Sequence, residues 1–221
     1  MRSASRIQDE AMEQLRLDKE KLAQEAQHRV KNNMQIISSL MNIQERNAMN
    51  DQAKEAIEKS KRRIKSISLI HQGLLTEERP QHVSAQEYIR SLSSSVFNAY
   101  KVDKDRVNLI TDIEELYLHI DTGLPLGIIL NELLSNCLTH AFTDSEEGEV
   151  MIRLRERDKK LILELEDSGT HLSTEELGKR VGNFGQKMID TFSKRLDSTL
   201  ELTSEGNNKV SLIISNYEVE V

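Results

Sequence analysis

Between Ile7 and Met49 the chain contains neither proline nor glycine, so nothing in that stretch forces the backbone out of a helix. Val30, Met34, Ile37 and Met41 recur at spacings of four, three and four, and Ile36, Leu40 and Ile43 widen the stripe. The pattern predicts an amphipathic helix with a broad apolar face. Upstream, Leu15, Leu22 and Ala26 give a thinner seam of coiled-coil type, so residues 1–20 read as a leading helix. A turn is expected over Asn47–Gln52. A second helix then carries Ile57, Ile64, Ile67, Ile70, His71 and Leu74 inward and ends between Gly73 and Glu78, ahead of Pro80. Two such helices hold more apolar surface than they can hide from water alone. A homodimer that pairs two hairpins into a four-helix bundle buries the excess, and docking on the rest of the chain is the other solution.

After Pro80 the periodicity changes. Ser84-Ala85-Gln86-Glu87 is a capping box that opens a helix reaching about Tyr100. Val107–Ile113 and Tyr117–Ile120 read as strands. Leu124–Phe142 reads as a buried helix with proline in its first turn. Val150–Arg155 and Leu161–Glu166 alternate with period two across Arg157-Asp158-Lys159-Lys160, which predicts a hairpin. Ser173-Thr174-Glu175-Glu176 is placed to start a short helix, Gln186–Leu196 forms another, and Thr199–Thr203 and Lys209–Ser215 close as strands. Helices mixed with antiparallel strands, without βαβ regularity, make this half an α+β sandwich. The boundaries are residues 1–20, 21–78 and 79–221.

Composition narrows the function. The net charge of −7 argues against a nucleic-acid partner, which wants a basic face. One cysteine, Cys137, excludes a disulfide framework and a cysteine zinc site and fits a reducing compartment. No apolar run reaches membrane-spanning length, so the expected location is cytoplasmic, either alone or as the soluble part of a longer sensor.

One helical stretch has the wrong residues for mere packing. Gln27-His28-Arg29-Val30-Lys31-Asn32-Asn33 sets a histidine, two cations and two asparagines at the flank of the apolar stripe. Glu25 lies about one turn back and Asn32 one turn on. A carboxylate orients an imidazole or takes its proton, an amide positions an oxyanion, and Arg29 and Lys31 attract phosphate. The set suits a nucleophilic histidine.

From Glu25 to Leu40, this stretch resembles the phosphoacceptor box of bacterial sensor histidine kinases. The subclass reads Glu-x-His-His-Arg-Val-Lys-Asn-Asn-Leu-Gln, and here Gln27 stands where the first of the paired histidines is common. Arg63-Ile64-Lys65-Ser66-Ile67-Ser68-Leu69-Ile70-His71 resembles the second dimerisation helix of the same subclass. Ile120 to Asn136 is similar to the approach to the family's N box, Leu163 to Gly169 to its first glycine box, and Gly182 to Ile189 to its second.

The resemblance implies a Bergerat-type ATP-binding domain of the GHKL class behind a dimeric four-helix bundle. It implies ATP and magnesium as cofactors, His28 as phosphoacceptor with Glu25 and Asn32 beside it, and a response-regulator receiver domain as partner. Glu132 would orient or deprotonate the attacking imidazole, and Asn136 would ligate magnesium, with Asn131 contributing nearby. Asp167 would accept from the adenine amino group, and Gly169 would let the backbone pass the base. Gly182 and Gly185 would present backbone N–H groups to phosphate, and Lys179 and Arg180 would add charge from the lid. The chain departs from the family where His171 replaces the second glycine of the first box. Thr139 and His140 replace a lysine and an aromatic, and Asn207-Asn208-Lys209 stands where glycine is common. An ATP-independent phosphotransferase that keeps His28 is the alternative these departures leave open.

Overall fold

Leu161, Leu163 and Leu165 alternate with Ile162, Glu164 and Glu166, which gives a strand one apolar face and sends the intervening side chains to the other. The computed structural model describes residues 12, 14, 21, 25, 29–30, 32–73, 81–102, 106–142, 147–169, 183–203 and 206–220. In chain order the elements are α1 (residues 32–46), α2 (Asp51–Gly73), β1 (His82–Ser84), α3 (Ala85–Ala99), β2 (Val107–Ile113), β3 (Tyr117–His119) and α4 (Ile120–His140). There follow β4 (Gly148–Arg157), β5 (Lys160–Asp167), α5 (Asn183–Arg195), β6 (Ser198–Thr203), β7 (Asn208–Ile214) and β8 (Val219–Glu220).

Five strands form one sheet in the order β2-β4-β5-β7-β6, and β1-β3-β8 form a small second sheet. The β4–β5 turn is closed by Asp158 and Lys159 at φ 50 and 58, the left-handed pair that a two-residue hairpin needs. One pairing departs from the antiparallel expectation: β2 and β4 run parallel, because the chain crosses from one to the other through β3 and α4. The two-residue β8 and the three-residue β1 were not anticipated; both are too short to show periodicity.

The inward faces of β4 and β5, namely Val150, Ile152, Leu154, Leu161, Leu163 and Leu165, are covered by α3 and α4. Helix α3 begins where the capping box predicts, with Ser84 Oγ accepting from the Glu87 N–H at 3.3 Å. Helix α4 starts four residues before the expected Leu124, because His119 caps it: its Nδ1 accepts from the Asp121 N–H at 3.2 Å. Pro125 therefore falls in the second turn, where its missing N–H gives up one intrahelical bond. Buried almost all round, α4 packs tightly on α3. A Cβ placed on Gly127 would stand 1.6 Å from Tyr88 Oη. That hydroxyl is buried with no hydrogen-bond partner among the described residues, and burial pushes the phenol pKa up. Tyr88→Phe should therefore leave stability unchanged or raise it by up to about 1 kcal/mol, read from denaturant melts.

Docking on the rest of the chain takes up part of the hairpin's apolar surface. Helix α2 packs on α3 and α4, with Leu69 against the core. It is capped by Asn50 Oδ1, which accepts from the Ala53 N–H at 2.7 Å, and it is tied to α1 by Lys61 and Glu45 at 2.5 Å. On α1, Val30, Met34, Ile37 and Met41 are half-buried, while Ile36, Leu40 and Ile43 remain 59%, 55% and 53% exposed. No helix among the described residues is long and apolar enough to cross a membrane.

Candidate active site

On β5 the inward series Leu161, Leu163, Leu165 ends in Asp167, a carboxylate 6% exposed on the face that is otherwise apolar. A buried acid there costs free energy unless it is hydrogen-bonded. Directly opposite on β7 stands Asn208, 1% exposed, whose Nδ2 donates to Asp167 Oδ1 at 2.8 Å. The Gly169 N–H donates to the same oxygen at 3.1 Å. Sequence reasoning took Asn208 only as a departure from glycine; the structure makes it the residue that positions Asp167. The signal for it was the tandem Asn207-Asn208 at a strand start, and Asn207 does hold Glu166 at 2.8 Å. Together with Arg153, Asn207 keeps the Glu166 carboxyl below its usual range. Gly169 serves the protein itself: a Cβ there would meet the Ala141 carbonyl oxygen at 2.2 Å.

Helix α4 supplies a second polar group in an apolar setting. Asn131, Glu132 and Ser135 are buried, and with Asn136 they line a cleft of about 490 Å³ between α4 and α2. Residues 132 and 136 share a face because they are one turn apart. Asn131 Oδ1, Ser135 Oγ and Asn136 Nδ2 are buried without a hydrogen-bond partner among the described residues. Unsatisfied buried atoms are costly, so these three on α4, with Arg62 Nε across the same cleft, mark a place built for a polar ligand. Gly185 of α5 lies on its rim, and α2 contributes Lys59, Arg62 and Arg63.

The cleft also holds an ion pair that sequence reasoning missed. Arg63 Nε donates to Glu132 Oε1 at 2.6 Å and Nη2 to Oε2 at 2.7 Å, with the side chains only 13% and 8% exposed. Asn131 Nδ2 adds a third bond to Oε1 at 3.3 Å. Removing one partner of such a buried bidentate pair costs about 3–5 kcal/mol, because the other charge is left uncompensated. Beside it, Arg62 stacks on the Tyr100 ring at 4.6 Å and donates to its hydroxyl at 3.1 Å.

The expected residues are thus brought together in part. Asn131, Glu132, Asn136 and Gly185 share one cleft. Asp167 and Gly169 lie past the C-terminal end of α4, where Gly169 abuts Ala141. Glu25 is exposed and engaged by Arg29 Nη2 at 2.5 Å, and Asn32 is exposed on α1. His28, Lys179, Arg180, Gly182 and the helix expected from Ser173 lie outside the described residues.

Known proteins are similar in the same terms. Residues 25–100 match the family model HisKA_2, histidine kinase. The sensor histidine kinase PdtaS of Mycobacterium tuberculosis is 30% identical over 201 residues, which is 90% of this chain and 40% of that protein. The chain therefore spans well under half the length of that relative. Blue-light-activated histidine kinase 2 of Erythrobacter litoralis is 24% identical over 191 residues, covering 84% of this chain and 54% of that protein. In fold, the histidine kinase domain of the Erythrobacter litoralis EL346 blue-light activated histidine kinase superposes with a TM-score of 0.65 at 21% identity, covering 89% of this chain and 92% of that one. The curated relatives that it matches are thus histidine kinases, and the chain shares the fold of a histidine kinase domain.

Proposed function

We propose that the chain is an ATP-dependent protein-histidine kinase that phosphorylates His28 and passes the phosphoryl group to an aspartate of a response-regulator receiver domain. Residues 21–78 form the dimerisation and phosphotransfer part and residues 79–221 the ATP-binding part. The observation that carries this reading is the α2–α4 cleft, where a buried carboxylate stands among three unpartnered polar atoms of α4.

In the reaction a ring nitrogen of His28 attacks the terminal phosphorus of ATP. The nitrogen–phosphorus bond forms, the bond to the bridging oxygen breaks, and ADP leaves with the electron pair. Glu132 orients the imidazole and takes its proton, with Glu25 and Asn32 positioned at the histidine. Asp167 accepts from the adenine amino group, held for that task by Asn208. Gly182 and Gly185 offer backbone N–H groups to phosphate, and Lys179 and Arg180 add charge. The protein's share is mainly positioning and charge neutralisation.

Magnesium fits the donor set. Asn131 Oδ1 and Ser135 Oγ are unpartnered oxygens, and hard cations want oxygen ligands with some waters retained. Among the described residues no group of three His, Cys, Asp or Glu could hold a metal alone, so Asn136 would be the chain's ligand to an ion that arrives with the phosphates. When bound, magnesium neutralises phosphate charge. The exposed Ile36, Leu40 and Ile43 of α1 are the surface on which a second hairpin would complete a four-helix bundle.

The test is incubation with γ-labelled ATP and magnesium. Wild type should acquire acid-labile label, and His28→Ala should acquire none. Asn136→Ala should lose about 100-fold or more in rate, as a residue acting on transition-state charge. An unlabelled wild type that still accepts phosphate from a phosphorylated receiver would leave the ATP-independent phosphotransferase instead.

A further inference from the structure

Glu132 meets the proposed base role in a bound state. Both of its oxygens are engaged by one guanidinium, so it accepts nothing from an imidazole until Arg63 lets go. The charge in the cleft says what could draw Arg63 away. Helix α4 lines it with Asn131, Glu132, Ser135, Asn136, Thr139 and His140 and supplies no lysine or arginine, whereas α2 supplies Lys59, Arg62 and Arg63. A nucleotide phosphate tail needs cations, and among the described residues lining the cleft only α2 offers arginine or lysine. Arg62 is committed to Tyr100 and Lys59 pairs with Glu55 at 2.7 Å on the surface. Arg63 holds Glu132, which lies one helical turn from Asn136 and its unpartnered amide on α4, and both residues line the cleft.

We propose that Arg63 is an exchange switch. It holds Glu132 while the cleft lacks a triphosphate and moves to the terminal phosphate when one binds, which releases Glu132 to act on His28. Guanidinium suits both partners, since its fork matches carboxylate and phosphate alike. The Arg62–Tyr100 contact keeps α2 seated while the neighbouring side chain moves. Base activation is thereby coupled to the presence of the phosphoryl group to be transferred, and a bound diphosphate leaves the pair closed. This rests on the kinase reading and deepens it.

Equilibrium titration with magnesium and either ADP or an imido-bridged ATP analogue tests the exchange without turnover. Arg63→Gln should weaken the triphosphate about tenfold or more, the worth of one charge-assisted contact, and leave ADP affinity unchanged. Glu132→Gln removes the competitor for Arg63 and should tighten the triphosphate several-fold, although it lowers autophosphorylation. The double variant should behave like Arg63→Gln alone. Equal weakening of both nucleotides by Arg63→Gln overturns the proposal, as does unchanged or weaker triphosphate binding by Glu132→Gln. If Arg63→Gln does not fold, the Glu132→Gln arm decides by itself. Wild type that binds neither nucleotide sinks the kinase reading together with the switch, whereas binding that ignores both substitutions sinks only the switch.

Discussion

Asp167→Asn should leave the fold standing and remove nucleotide binding. The amide oxygen can still accept from Asn208 Nδ2 and from the Gly169 N–H, the two bonds that now fall on Asp167 Oδ1. Stability should accordingly change by less than about 1 kcal/mol, since neither of these two donors loses its acceptor. The other half of the side chain becomes an NH₂ group, a donor that in the proposed binding mode faces the adenine amino group, which is also a donor. The ion-assisted bond is lost and a donor–donor clash replaces it, worth about 100-fold in affinity. Asp167→Ala should behave differently. It strands the buried Asn208 amide and the Gly169 N–H, so it should cost about 2 kcal/mol or more in stability as well as the affinity. Thermal melts and nucleotide titration of the two variants separate the roles. Full ATP affinity in Asp167→Asn would remove Asp167 from adenine recognition.

The features legible in the sequence were those fixed by local chemistry. The Ser84 cap, the β4–β5 alternation and the limits of β2 follow from a few neighbouring residues, and the structure places them within a residue or two. Glu132 and Asn136 were singled out by the resemblance to the family's N box, and two polar residues one turn apart on an otherwise apolar helix agree with it. What the sequence did not disclose depends on contacts between distant segments. Arg63 and Glu132 meet across 69 positions, Asp167 and Asn208 across 41. No periodicity links a cation on α2 to a carboxylate on α4. The parallel β2–β4 pair was missed for the same reason, because strand direction is set by the path of the crossover and not by the strands themselves. The early start of α4 was missed because histidine is not a usual helix cap.

Gly169→Ala should be among the most destabilising single changes in this domain, although it adds one methyl group. The resemblance to a glycine box suggests that this glycine makes room for a nucleotide, whereas the structure gives it a neighbour inside the protein. The added Cβ would lie 2.2 Å from the Ala141 carbonyl oxygen, 2.6 Å from its carbon and 2.8 Å from its Cβ. Ala141 is fully buried and its N–H is bonded to the Cys137 carbonyl at 2.8 Å, so the end of α4 cannot step aside alone. Either that end or the end of β5 must move, and overpacking of this kind costs about 3 kcal/mol. Movement of β5 would also pull the Gly169 N–H from Asp167 and disturb the acid proposed to read adenine, so nucleotide affinity should fall with stability. Ala141→Gly should fail to rescue the variant, since it removes the farthest of the three clashing atoms and leaves the two backbone atoms in place. Denaturant melts of the single and double variants check both statements. A melt within about 1 kcal/mol of wild type would mean that the β5–α4 junction is softer than a close-packed interior allows.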